Sequence, residues 1–214
     1  MAELLTALRS DNSIRVIILS GTGDEFFVLL GPDAFDDPGV WAVATLPSAA
    51  WRTFNGIIRT RELMAAIEKP IIAIISWSAT AFGVSLVFAS DLIAATHDAI
   101  IADLHLSMGE LPYGGPRFGL TTGDGGSTLV PLYMSLPKGK EFLMLAKPYT
   151  GRELAQAGII NASVSADELH GIVEGMAQAL LRRSLYALAW TKRVTNRHVV
   201  DAVNCTIDAG VAPR

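Results

Sequence analysis

The sequence predicts an α/β fold built on a buried parallel sheet, and three stretches predict it. Residues 69–91, KPIIAIISWSATAFGVSLVFASD, place a β-branched run (Ile71, Ile72, Ile74, Ile75) behind Pro70, then a second apolar run from Phe82 to Ala89. An unbroken apolar strand feeding an apolar helix is the pattern of a parallel sheet covered on both faces. Residues 15–19 (RVIIL) and 91–96 (DLIAAT) give further short apolar strands, and residues 51–68 carry apolar positions at helical spacing between them. Residues 70–90 hold no charged side chain, a length that would cross a bilayer. The polar Ser76-Trp77-Ser78 and the small-residue turn Ala79-Thr80-Ala81 divide them instead into strand and helix.

In chain order, residues 2–9 predict a short helix and 15–19 a buried strand ending at the turn cluster Ser20-Gly21-Thr22-Gly23. Residues 36–48 (DDPGVWAVATLPS) lack a helical period and read as a loop in which Trp41 lines a pocket or packs on the body of the protein. The crossover helix 51–68 shows Phe54, Ile57, Ile58, Met64 and Ile67 on one side, with Arg59, Arg61 and Glu62 on other faces. Two strand-like runs at 91–96 and 99–102 are split by His97-Asp98, a turn. Glycines and prolines in LPYGGPRFGLTTGDGG predict a long loop, and such loops often carry function. A helix starts at Gly125-Gly126-Ser127 and is interrupted by Pro131, and another spans 138–147. Capping boxes at Thr150/Glu153 and Ser165/Glu168 open two more helices, with a short strand at 159–162 between them. Leu169, Ile172, Val173, Met176 and Leu180 make the second of these amphipathic, and 185–203 continues helical.

Half of the 214 residues are hydrophobic and 18% are charged, so the surface is poor in charge for a monomer and oligomer interfaces are expected. A net charge of −4 provides no basic footprint for nucleic acid or anionic membrane. Cys205 is the sole cysteine, which leaves no intrachain disulfide and no cysteine-based metal site. MAELLTALRSDN lacks a basic region followed by a long apolar core, so a cytoplasmic location is expected.

The Lys69-Pro70 opening, apolar strand, small-residue turn, apolar helix and closing Asp91 resemble, at this spacing, the crotonase (enoyl-CoA hydratase/isomerase) superfamily. The resemblance continues through GTGDEF at 21–26, TGDGGSTLVP at 122–131, TGRELAQAGIIN at 150–161 and WTKRVTN at 190–196. It implies a crotonase-like ββα superhelix (spiral) with a C-terminal helical extension: a core over residues 1–164 and a helical trimerisation region over 165–214. Relatives carry a further strand pair before residues 15–19, so the N-terminal strands read as truncated, at a sheet edge that something must cover.

Crotonase chemistry needs an oxyanion hole and acid or base groups aimed at the neighbouring carbon or at a water. The resemblance places the two oxyanion N–H groups on Leu30 and Phe82. The positions of the two glutamates of an enoyl-CoA hydratase fall on Ser85 and His105, neither of which performs paired-carboxylate work. Asp124, in Gly123-Asp124-Gly125-Gly126, matches a position where relatives with other chemistries hold an acid; its plainer use is to cap the following helix. His105 with Asp124 is similar to the pattern of β-diketone hydrolases of the 6-oxocamphor hydrolase kind, although the second histidine of those enzymes has no counterpart on the helix 82–89.

That likeness implies hydrolytic C–C cleavage (retro-Claisen) of a β-diketone without CoA, with His105 as base and Asp124 orienting it. Trp41, Ser85 and Glu110 are the expected substrate contacts, and the loop 106–122 reshapes the pocket. No metal or cofactor is expected, only a small-molecule carbonyl substrate and a homo-oligomer, a trimer or a dimer of trimers. The alternatives are an acyl-CoA hydratase or isomerase using Asp124, with Lys192 and Arg193 available to CoA, and a catalytically silent subunit.

Overall fold

The computed structural model describes residues 1–23, 26, 46–107 and 122–211. Its centre is a four-stranded, all-parallel sheet in the order β1 (Ile17–Ser20), β2 (Ile71–Ile75), β4 (Leu92–Thr96), β7 (Ala162–Val164). The β2 register sets Ile71 beside Ile17 and Ile72 beside Leu92. All five β2 residues are buried, and the alternation of a strand explains why each is apolar. Ile71, Ala73 and Ile75 face the main core with Phe88, Ile93 and Leu129, whereas Ile72 and Ile74 face Leu169, Val173 and Ala177 on the opposite side.

Those three residues belong to α7 (Ala166–Leu181), which opens with the expected Ser165/Glu168 capping box. The expected trimerisation segment therefore begins with a helix that closes one face of the sheet. Ile172, expected on its apolar side, is instead exposed.

A second sheet pairs β3 (Ser78–Thr80) in parallel with β5 (Ile100–Ala102), and β5 antiparallel with β6 (Tyr149–Thr150). The expected turn 79–81 is thus mostly strand. Ala79 and Thr80 pair with Ile101 and Ala102, and Ala81 alone reverses the chain at φ 48° before α3 (Phe82–Phe88). A left-handed conformation at a non-glycine residue costs about 1 kcal/mol, and it sets where α3 begins. The segment once long enough for a bilayer is therefore a strand, a second strand and a short helix, and no helix among the described residues is long and apolar enough to cross a membrane.

The crossover helix α2 (Pro47–Ala66) starts earlier than expected because Pro47 occupies its first turn, where a missing N–H costs nothing. Its buried stripe includes Thr60, Arg61, Met64 and Ala65, so Arg61 faces inward, contrary to the sequence expectation. The N-terminal helix α1 (Ala2–Ser10) docks on it. The Arg9–Glu68 pair at 2.9 Å, and Lys69 donating to the Leu8 and Asp11 carbonyls, tie its C-terminal end to the chain entering β2.

After β5 a 3₁₀ turn spans His105–Ser107. Helix α4 (Gly126–Tyr133) runs through Pro131 rather than stopping there, ending two residues later. Then follow α5 (Leu136–Met144) and α6 (Gly151–Gln156), the latter with the expected Thr150/Glu153 capping box. The expected strand at 159–162 forms two to three residues later as β7. The expected continuous helix 185–203 is two, α8 (Leu185–Thr195) and α9 (Arg197–Val211), broken at Asn196. Helix α9 packs back on α2 and α4.

Candidate active site

His105 lies between two aspartates. Asp103 leaves β5 two residues ahead of it, and Asp103 Oδ1 accepts from the His105 backbone N–H at 3.2 Å and meets ring Nδ1 at 2.7 Å. On the other edge of the ring, Nε2 is 3.2 Å from Asp124 Oδ2. That contact is an ion pair without hydrogen-bond alignment, so Oδ2 has no directed donor. Asp124 Oδ1 accepts from the Ser85 hydroxyl on α3 at 2.9 Å and, at 3.4 Å, from the Gly126 N–H. Arg61 approaches the same turn from α2. All five side chains are buried, none more than 9% exposed.

The glycines after Asp124 are sockets for its neighbours. A Cβ on Gly125 would sit 2.8 Å from both Cδ and Nη1 of Arg61 and 3.1 Å from Ser85 Oγ, and its φ of 134° already disfavours other residues. A Cβ on Gly126 would collide with Asp103 Oδ2 at 2.2 Å. The Gly-Asp-Gly-Gly run lets a guanidinium and a second carboxylate close on the turn that carries Asp124. The expected capping use is met only from one residue further out: Gly125 is the N-cap of α4, and Asp124 Oδ1 reaches the N–H of the first helical residue, Gly126, at 3.4 Å.

Charge follows from this packing. Burial works against an imidazolium at His105, but the Asp103 hydrogen bond and then Asp124 outweigh it and raise its pKa to about 10. Burial likewise opposes charge on Asp124, but His105, Ser85 and the Gly126 N–H hold its carboxyl below the usual value. A carboxylate on each ring nitrogen favours the protonated imidazole, which counts against the expectation that His105 is the base. Asp103, Asp124 and the two ions His105 and Arg61 balance in charge; burial lowers the Arg61 pKa while Asp124 and Glu62 raise it.

Asp103, His105 and Asp124 offer three ligand atoms within 4.8 Å of one another. A cation there would have to displace the imidazole from a carboxylate, since both ring nitrogens face one.

The structure brings together three of the sequence-predicted residues, His105, Asp124 and Ser85. Ser85 is fully buried, and its hydroxyl donates to Asp124. Phe82 is the first residue of α3 and lines a cleft of about 360 Å³ with Gly56, Ile57 and Thr60. Leu30, Trp41 and Glu110 lie outside the described residues. Two members of the cluster, Asp103 and Arg61, escaped the sequence reading. Lys192, read as a solvated base or a CoA contact, is buried: its ammonium donates to Asp91 Oδ2 at 2.7 Å and to the Lys69 carbonyl at 3.0 Å. This pair borders a cavity of about 590 Å³ that also touches Tyr133, Asn196 and His198 and none of the His105 cluster.

The family model for enoyl-CoA hydratase/isomerase matches residues 1–210. The chain belongs to the enoyl-CoA hydratase/isomerase family. A crotonyl-CoA hydratase from Syntrophomonas wolfei is 25% identical over 197 residues, spanning 91% of this chain and 68% of that protein. Among solved structures, an enoyl-CoA hydratase/isomerase from Mycobacterium paratuberculosis superposes with a TM-score of 0.84 at 25% identity, covering 98% of this chain and 78% of that one. A β-diketone hydrolase from the cyanobacterium Anabaena, bound to (S)-3-oxocyclohexyl acetic acid, superposes equally well, TM-score 0.84, at 21% identity over 98% of this chain and 78% of its own. These likenesses make this chain a crotonase-fold member of an enzyme family.

Proposed function

We propose that this enoyl-CoA hydratase/isomerase family member hydrolyses a C–C bond between the two carbonyls of a β-diketone, without CoA. The observation that carries the reading is Asp124 Oδ2: a buried, ionised carboxylate oxygen with no directed donor, beside an imidazolium, at a site whose hydratase glutamate positions hold Ser85 and His105. Asp124 takes a proton from water, and the hydroxide oxygen bonds to one carbonyl carbon. The oxyanion is held by backbone N–H groups, those of Phe82 and Leu30 by family register. Its collapse breaks the bond to the carbon between the carbonyls, whose electron pair leaves as the enolate of the second ketone. The proton taken up by Asp124 returns to that carbon, and the products are a carboxylic acid and a ketone: substrate plus one water. His105 holds Asp124 ionised before the attack and spreads the charge change after it.

The structural likeness to a β-diketone hydrolase supports this reading. The names of the sequence relatives support a second reading, hydration or isomerisation of an acyl-CoA thioester with Asp124 as the acid–base group. Exposed Tyr186, Trp190 and Val194 along α8 support self-association in either case.

The test is mass spectrometry of the reaction with cyclic 1,3-diketones. The expected result is gain of one water, with kcat lowered roughly 1,000-fold in Asp124→Asn. Turnover of crotonyl-CoA with none of the diketones would overturn the hydrolase reading in favour of the second.

A further inference from the structure

Arg61 is a buried cation with one edge of its guanidinium unused. Nε and Nη2 are both shielded and have no acceptor among the described residues, while Cδ and Nη1 lie against Gly125. Nε–H and an N–H of Nη2 point the same way, and this edge grips the two oxygens of a carboxylate with parallel hydrogen bonds. A buried donor without an acceptor keeps the full cost of its lost hydration, so the unliganded protein favours whatever brings two acceptors to that edge. The neighbouring aspartates do not: Asp103 is turned to His105, and Asp124 to Ser85 and His105. Asp103 and Asp124 also carry one unpartnered oxygen each, and neither is bonded to Arg61. The cluster's two negative and two positive groups cancel, so an incoming anion meets no net repulsion. Shielding from water makes charge-assisted bonds at this edge stronger than at a surface.

We infer that Arg61 is a carboxylate fork, whose Nε–H and Nη2–H hold the two oxygens of a keto acid at the turn that carries Asp124. The acid's identity rests on the hydrolase reading, in which attack beside Asp124 generates a carboxylate; the fork itself rests on the unused edge. The assignment makes Arg61 the group that distinguishes an acid from its neutral ester.

Calorimetry with 5-oxohexanoate and methyl 5-oxohexanoate tests this, the first being 1,3-cyclohexanedione plus one water. The unmodified protein is expected to bind the acid roughly tenfold or more tightly than the ester, Arg61→Met to lose that preference, and Arg61→Lys, a point charge without a fork, to regain part of it. Equal affinity of the unmodified protein for acid and ester overturns the inference and needs no variant. So does an unchanged acid affinity in a folded Arg61→Met protein. Arg61-dependent acid binding in a protein that hydrolyses no diketone upholds the fork and removes the hydrolase reading. Diketone hydrolysis without acid preference does the reverse.

Discussion

Asp91, mostly shielded, and Asp124, buried, each lie beside a cation, and their surroundings push them in opposite directions. At Asp91 burial outweighs the Lys192 ammonium and the carboxyl pKa rises; burial likewise lowers the Lys192 pKa. At Asp124 the His105, Ser85 and Gly126 contacts outweigh burial and the pKa falls. The hydrogen bonds divide the same way. Asp91 Oδ2 accepts from Lys192 and from the Ile71 N–H, both at 2.7 Å, and Lys192 also donates to the Lys69 carbonyl. Around Asp124, one oxygen each of Asp103 and Asp124 and two nitrogens of Arg61 have no hydrogen-bond partner among the described residues. Buried charge alone therefore does not mark a site. The satisfied pair fastens α8 to the start of β2 and β4, whereas the cluster around Asp124 leaves buried polar atoms without hydrogen-bond partners among the described residues.

The sharpest way to break this contrast is to remove Lys192. Lys192→Met leaves the partly buried Asp91 uncompensated, and is expected to lower stability by about 3 kcal/mol in denaturant titration, with kcat of the remaining folded protein unchanged. Adding Asp91→Leu is expected to recover most of that loss, since a well-packed apolar pair replaces a buried ion pair at little cost. A fall in kcat that persists in the stable double variant would make the pair part of the site.

Asp103→Asn works on the other side of the comparison. Removing the carboxylate on Nδ1 is expected to bring the His105 pKa from about 10 toward the ordinary histidine value, seen by NMR titration of the imidazole. The sign for stability follows. A raised histidine pKa stabilises the fold fully below the unfolded value of about 6.5, and that contribution disappears as pH rises toward about 10. The depressed Asp124 contributes above the usual carboxylate pKa and loses its contribution on acidification. The melting temperature of the unmodified protein should thus fall between neutrality and pH 10, and less steeply in Asp103→Asn. The alkaline limb of the rate profile should move down with the His105 pKa, because the imidazolium charge beside Asp124 is then lost at lower pH.

Much of the frame was legible because local patterns decide it: the Ile71–Ile75 run, both capping boxes and the apolar stripe of α7 each carry their own signal. Elements set by partners were not. Ser78–Thr80 is a strand because β5 lies beside it, and Asn196 breaks a helix where its amide reaches the Ala65 carbonyl at 3.1 Å. In the site, the aspartate and histidine stood out by type and position, whereas Arg61 was discounted as a surface charge. Its spacing held the signal: it lies four residues after Ile57 and three before Met64, on the apolar face of α2. Asp103 had a quieter one, two residues from His105 at the end of a strand, where a short acid reaches the following backbone N–H. Gly125 and Gly126 read as turn formers, and only the packing shows that they make room for those two side chains.

The smallest expected effect belongs to Ser85, which links the comparison to the hydratase pattern it replaces. Its hydroxyl donates to Asp124 Oδ1 and leaves Oδ2 facing the His105 ring. Ser85→Ala removes one hydrogen bond to a charged acceptor, about 1.5–3 kcal/mol at most and less if the Gly126 N–H closes on the freed oxygen. The expected outcome is a loss of roughly tenfold in kcat with KM unchanged, and an acid limb of the rate profile displaced upward, since Asp124 loses a group that lowers its pKa. Ser85→Thr keeps the hydroxyl and should restore the acid limb. A rise in KM with kcat and the pH profile intact would instead make Ser85 a substrate contact and return it to the role its position in the sequence first implied.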